Sequence, residues 1–206
     1  MKPGEPLCCA HLLHKTVVQL YARSSQLPTN LSRATRFLDG SMFCRFGCPS
    51  LEDAHHLFVH CPAFQDLRDD YSRTLLREAR HILTKSALPG PIISHLVSVI
   101  SHLFCDHSSW PLGSSRYYLG LLPPLIPQSL SLTSLPVGSQ RLLSRLASSC
   151  HSSAIRLAAR IWGRVVQHYH LATSTFPSGA QNREALLHES KLILPPHLHY
   201  MLQLQF

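Results

Sequence analysis

The chain has 206 residues, 45% of them hydrophobic and 15% charged, a balance that excludes a disordered polyelectrolyte. Its formal charge is +8 and its pI near 9.4, which favours polyanionic partners such as nucleic acid. Fifteen prolines and many serines argue against one continuous core, and seven cysteines, an odd number without regular pairing, argue against a secreted disulfide framework.

The opening, Met1 to Pro6, is polar and proline-rich without an apolar segment, so no secretory leader is expected. Cys8-Cys9, with His11 and His14 nearby, reads as an incidental pair, because vicinal thiols fit one metal tetrahedron poorly. His11 to Arg23 reads as a helix, with Leu12, Leu13, Val17, Leu20 and Tyr21 on one face. Gln26 to Asn30 breaks it, and Thr29 or Asn30 can cap a second helix running through Leu38. Residues 1–50 hold six Lys or Arg against two Asp or Glu. Arg23, Arg33, Arg36 and Arg45 are therefore candidate phosphate contacts, weighed against an ordinary solvated basic surface.

The informative stretch is Cys44-Arg-Phe-Gly-Cys48-Pro-Ser-Leu-Glu-Asp-Ala-His55-His56-Leu-Phe-Val-His60-Cys61-Pro62. Read as C-x3-C-x7-H-x4-C, it offers Cys44, Cys48, His56 and Cys61 as a tetrahedral, structural Zn2+ set, with His55 and His60 as alternates. Four protein ligands leave no open position for a reacting water, so the site is expected to be structural. Gly47 relaxes the turn between the first two thiols. Ser50 to Asp53 resembles a capping box opening a short helix that Pro62 limits. His56 and His60 have zincin spacing but lack the glutamate base of HExxH.

Pro62 to about Thr84 reads as a long helix with Phe64, Leu67, Tyr71, Leu75, Ala79 and Ile82 in line. Asp69-Asp70 on its charged face is read as solvated rather than as a metal-holding catalytic pair. Leu88-Pro-Gly-Pro91 is a break, and Ile92 to Phe104 an apolar helix too interrupted and too short for the roughly 20 residues of a membrane span. A soluble intracellular protein, nuclear or cytoplasmic, with no membrane partner is expected. His95, His102 and His107 lie around Cys105-Asp106, where a single thiol makes buried or surface histidines the ordinary reading. Ser108 to Ser139 is punctuated by proline and glycine. Ser139 to about Leu171 reads as a long helix or two abutting ones. Arg156, Arg160 and Arg164 repeat every four residues along one ridge, and no acidic residue lies between Arg141 and Arg164. That ridge could follow a phosphate backbone or serve only as a basic solvent face. A short helix near 183–193 is expected at the end.

The residues Cys44, Cys48, Glu52-Asp53, His56-Leu57-Phe58 and Cys61-Pro62 together resemble the zinc-binding domain at the C-terminal end of non-LTR (LINE-like) retrotransposon reverse transcriptases. Those domains read Cys-x2-Cys, an acidic stretch ending near Glu-Thr, then His-Leu-Phe-x-x-Cys-Pro. Tyr21 to Asn30 resembles the approach to that finger and Phe64 to Arg68 its exit, so the resemblance covers roughly residues 17 to 85. This chain departs from the pattern in its x3 first spacing and in the His55-His56 pair. Arg116 to Pro124 and Ile155 to Gly163 resemble the tails of similar proteins of basidiomycete fungi. The resemblance implies a domain that helps a polymerase hold template RNA or target DNA, and a possible reverse transcriptase partner. No polymerase, endonuclease or RNase H motif is present, so no enzymatic activity is expected.

The expected architecture is mainly α: a small zinc-stabilised helical domain, a Pro-rich connection and a helical C-terminal region. Its divisions are a lead-in over 1–10, the zinc-binding domain over 11–87, an apolar helix over 88–107, a connection over 108–138 and a basic helical tail over 139–206. The competing function is a zinc-stabilised surface for docking another protein.

Overall fold

Apolar spacing sets the helices, and proline stands at the start of the helix over Gly90–Ser101 and of the 3-10 turn over Pro62–Phe64. The structure is a computed structural model that describes residues 16–37, 40–86, 88–126 and 135–174. Helix α1 covers residues 16–23, α2 Asn30–Phe37, α3 Gln65–Leu83, α4 Gly90–Ser101 and α5 Val137–Ser174. The molecule is mainly α, as its sequence predicts. Among the described residues there is no strand, only an isolated antiparallel bridge between Phe43 and Leu51. The lead-in, Cys8, Cys9, His11, His14 and the helix expected near 183–193 lie outside the described residues.

Each helix shows why its sequence forms it. The Thr29 hydroxyl accepts the Ser32 N–H at 3.2 Å, which satisfies one free donor at the start of α2. A 3-10 turn at Pro62–Phe64 leads into α3, with proline at its first position, where no amide hydrogen is needed. Leu67, Leu75, Ala79 and Leu83 are buried at four- and eight-residue steps with half-buried Tyr71 between them, a single row along α3. Helix α4 buries Ile92, Leu96, Val99 and Ile100. Along α5 the buried positions Leu143, Leu146, Cys150, Ala154, Leu157, Ile161 and Val165 step by three and four, so one seam runs down a helix about 57 Å long.

Helix α3 packs against both α4 and α5. One hydrophobic core gathers Val18 from α1, Leu57 and Phe58 from the Cys/His stretch, and Phe64. It continues through α3 and α4 to Trp110, Tyr117 and the α5 seam. Among the described residues the prolines lie in loops and in the first turns of helices, and one core runs past them. The stretches expected as a connection and a tail therefore help bury the Cys/His region. No helix among the described residues is long and apolar enough to cross a membrane.

Candidate metal centre

The first two thiols are set by a tight turn. The Gly47 N–H donates to the Cys44 carbonyl at 3.1 Å, and Gly47 sits at φ +82°, a conformation costly for a residue with a Cβ. The turn closes when the Cys44 N–H donates to the Ser50 carbonyl at 2.9 Å. Ser50 thus belongs to this turn and does not cap a helix, which corrects the capping-box expectation. Asp53 is the cap: its carboxylate accepts the His56 N–H at 2.6 Å.

The second pair comes from a π-helical turn, His56–His60, rather than a frayed α-helix. Its signature is the Cys61 N–H donating to the His56 carbonyl, five residues back, at 2.6 Å. In an α-helix, residues five apart point well away from each other, at 3.6 residues per turn. The wider π-turn stacks them. His56 and Cys61 therefore meet on its inner face.

Three sulfurs and an imidazole converge there. The Sγ atoms of Cys44 and Cys61 are 3.8 Å apart and those of Cys48 and Cys61 3.7 Å. A ring nitrogen of His56 joins them, and all four ligand atoms lie within 4.8 Å of one another. His56 Nε2 is buried with no hydrogen-bond partner, an expensive state that coordination would relieve. None of the three cysteines is in a disulfide. Cys44, Cys48, His56 and Cys61 could thus coordinate one metal ion. Burial raises the Cys44 thiol and pushes Cys61 up to about 12, while burial lowers His56. Before an ion arrives, burial holds Cys44, Cys61 and His56 in their neutral forms, so binding must displace protons from these thiols.

Two buried side chains bond the carbonyls of Phe58 in the π-turn and of Cys61 just after it, the latter also accepting the Phe64 N–H at 3.2 Å. The Arg68 guanidinium donates to the Cys61 carbonyl at 2.8 Å and to that of Phe58 at 3.5 Å. The Tyr117 hydroxyl donates to the Phe58 carbonyl at 2.7 Å. Tyr118 stacks on the Phe58 ring, centroids 5.0 Å apart and planes 11° from parallel. The Arg-Tyr-Tyr-Leu-Gly motif thereby gains a role that its sequence does not disclose. Its hydroxyl is 59 residues from its acceptor, so no local signal could have found the contact. Phe46, between the first two thiols, packs edge-on to Phe64 at 4.8 Å and meets the His168 ring of α5 at 4.7 Å.

The alternates His55 and His60 do not join the sulfurs. They lie on the outer face of the π-turn, where each Nε2 meets Oδ2 of Asp106, at 3.1 and 3.0 Å. His102 and His107 stack on each other, centroids 3.8 Å apart, away from that group.

The arginines divide by what they touch. Arg45 is drawn inward: its backbone N–H and Nε both bond the fully buried carboxylate of Glu52, and its terminal nitrogen reaches the Pro28 carbonyl. Those donors are spent inside the fold, so Arg45 is not offered to a phosphate as its sequence position suggests. Arg33 lies over the Tyr169 ring at 5.5 Å, and Arg23 Nε donates to the Leu119 carbonyl at 2.6 Å while remaining exposed. Arg36 is exposed and reaches the Ser25 carbonyl at 3.5 Å. On α5, Arg156 and Arg160 are exposed, but Arg164 pairs with Asp66 of α3 at 3.0 Å. Glu78, Ser144, Arg145, Ser148, Ser149, Ser152 and Arg156 line a shallow open groove between α3 and α5.

No family model, curated protein or solved structure matches the chain.

Proposed function

We propose that the chain is a zinc-binding, nucleic-acid-binding module without enzymatic activity. In this reading it is a remnant or C-terminal portion of a retrotransposon reverse transcriptase. The observation that carries the zinc reading is the pair of sulfur separations. A tetrahedral ion with Zn–S bonds of about 2.3 Å sets its sulfurs roughly 3.8 Å apart. The observed 3.7 and 3.8 Å agree with that spacing. Thiolates with one imidazole favour zinc over hard cations, and a full protein shell gives it a structural role. Support for nucleic acid is the net charge of +8 and the exposed basic face of α5 at Arg141, Arg145, Arg156 and Arg160. The retroelement origin is carried by the sequence resemblance alone.

A docking surface for another protein is the second reading. It is favoured by Phe43 and Leu51, large apolar side chains about half exposed and paired across the isolated bridge. One experiment addresses both readings. Native mass spectrometry of the purified protein should find tightly held zinc that Cys48→Ser loses, with a lower melting temperature. Binding to RNA or DNA should weaken steeply with salt, and Arg156→Gln with Arg160→Gln should flatten that slope by about two counterions. A protein that carries no zinc and melts as Cys48→Ser does would refute the metal reading. A salt-insensitive partner, or none among RNA and DNA, would favour protein docking.

A further inference from the structure

The outer face of the π-turn holds a second convergence of ligand atoms. His55 and His60 are five residues apart, so the same geometry that joins His56 to Cys61 stacks them, rings edge to face at 4.8 Å. Their Nε2 atoms aim at one atom, Oδ2 of Asp106, about fifty residues along the chain. The three ligand atoms lie within 4.8 Å of one another.

The carboxylate is oriented from behind. Its other oxygen, Oδ1, accepts the Ser115 N–H at 2.6 Å, leaving Oδ2 for the imidazoles. Metal-ligating carboxylates commonly carry such a supporting bond. Tyr118 flanks His55, with ring centroids 6.1 Å apart, on the side towards the core. The opposite side is open, since the His60 and Asp106 side chains are 51% and 34% exposed. The group therefore has three fixed donors and a solvent side where water can complete a coordination shell.

We propose that His55, His60 and Asp106 form a second, solvent-facing site for a divalent transition-metal ion. Two imidazoles and a carboxylate suit Zn2+, Ni2+ or Co2+ and are a poor match for Ca2+ or Mg2+, which want oxygen. Without metal, each imidazole can hold its place by donating an Nε2 proton to Oδ2. On binding, each Nε2 proton is released to solvent from a charged ring or passes to Nδ1 of a neutral one, and the freed Nε2 lone pairs and Oδ2 turn to the ion. The open positions would accept water or a donor from a bound partner. This site is distinct from the Cys/His centre even though the two alternate along the chain. His55 and His60 serve one, and their neighbours His56 and Cys61 the other.

The test uses the full chain loaded with one equivalent of Zn2+, followed by calorimetric titration with Ni2+. One further equivalent should bind to the wild type. His60→Gln, a substitution at an exposed side chain, should weaken that step by at least about tenfold, as should Asp106→Asn. The His102→Gln control should bind like the wild type. Paramagnetic Ni2+ should broaden the ring-proton signals of His55 and His60 before those of other histidines. Co2+ in place of Zn2+ keeps the first centre visible, because only that centre has thiolates to give a sulfur-to-metal charge-transfer band. The band should persist unchanged in His60→Gln. If Ni2+ uptake is the same in wild type and His60→Gln, or other histidines broaden first, the proposal is overturned. Loss of the thiolate band from the wild type would instead count against the zinc centre.

Discussion

At the scale of single residues, the Cys/His centre is a set of groups whose ionisation opposes folding at both ends of the pH range, His56 by gaining a proton in acid and the buried thiols by losing theirs in alkali. His56 has a folded-state value below its ordinary one near 6.5 because it is buried. Its contribution is fully present above the ordinary value near 6.5 and is lost as pH falls from there through the lowered folded-state value. Cys44 and Cys61 behave oppositely. Burial raises both above their ordinary value near 9, Cys61 to about 12, so the folded chain keeps protons that the unfolded chain would release. Their contribution is present below about pH 9 and is lost as pH rises from there towards 12. The chelated protein should therefore melt progressively earlier as pH climbs from 8 to 11. The metal-loaded protein, whose thiols have already given up their protons, should lack this alkaline loss and weaken in acid instead. Thermal melts at a series of pH values, with and without chelator, check both limbs.

Several residues of the centre are legible in the sequence because their signals are local. The three thiols and His56 fall within one short stretch, and a turn glycine sits where two thiols must face one ion. Arg45 shows the limit of such reading. Its basic neighbourhood suggests a surface contact, yet Glu52, seven residues on, is fully buried and takes its donors. A buried pair of this kind is costly to break and often neutral to replace whole. Nothing in the spacing of residues 45 and 52 announces that choice.

At the scale of elements, the π-turn is the piece that sequence periodicity could not supply. A five-residue run carries no hydrophobic repeat that distinguishes a π-turn from one turn of α-helix. The Phe58 carbonyl inside it is met by side chains, Arg68 from the next helix and Tyr117 from 59 residues along the chain. Tyr117→Phe deletes one of the two donors to the Phe58 carbonyl and leaves the shape of the core intact. The loss should be about 1–2 kcal/mol of stability, the usual range for a buried hydrogen bond whose acceptor keeps another partner. Urea unfolding of the metal-loaded protein would measure it. The same substitution should speed removal of the metal by chelator, because the Phe58 carbonyl in the turn carrying His56 and Cys61 then keeps Arg68 as its one side-chain donor. An unchanged unfolding midpoint and chelation rate would show that the tyrosine only fills space.

For the whole molecule, the question is whether the finger-like region stands alone. The helices after it were foreseeable from apolar spacing, α5 above all, but their destination was not. Long-range packing leaves no mark on local pattern. Phe46 between the first two thiols touches His168 of α5, and Asp66 at the start of α3 pairs with Arg164. Tyr117 and Tyr118 complete the wall behind the π-turn. A fragment of residues 11–87 loses all of these contacts and exposes the α3 face that α5 covers. That fragment should bind metal more weakly than the full chain and show fewer slowly exchanging amides over 56–83. Competition with a metal-sensitive dye and hydrogen exchange would measure the two effects. A fragment that equals the full chain on both counts would establish the region as self-sufficient.

The alternation of ligands along the π-turn gives this stretch a reading frame. Residues 55 and 60 look outward, and residues 56 and 61 look inward. Substituting one of them removes a single donor from a single group. Dropping or adding one residue among Leu57, Phe58 and Val59 would break the five-residue pairing on both faces in the same event. The segment is therefore far less forgiving of a change in length than of a change in letter.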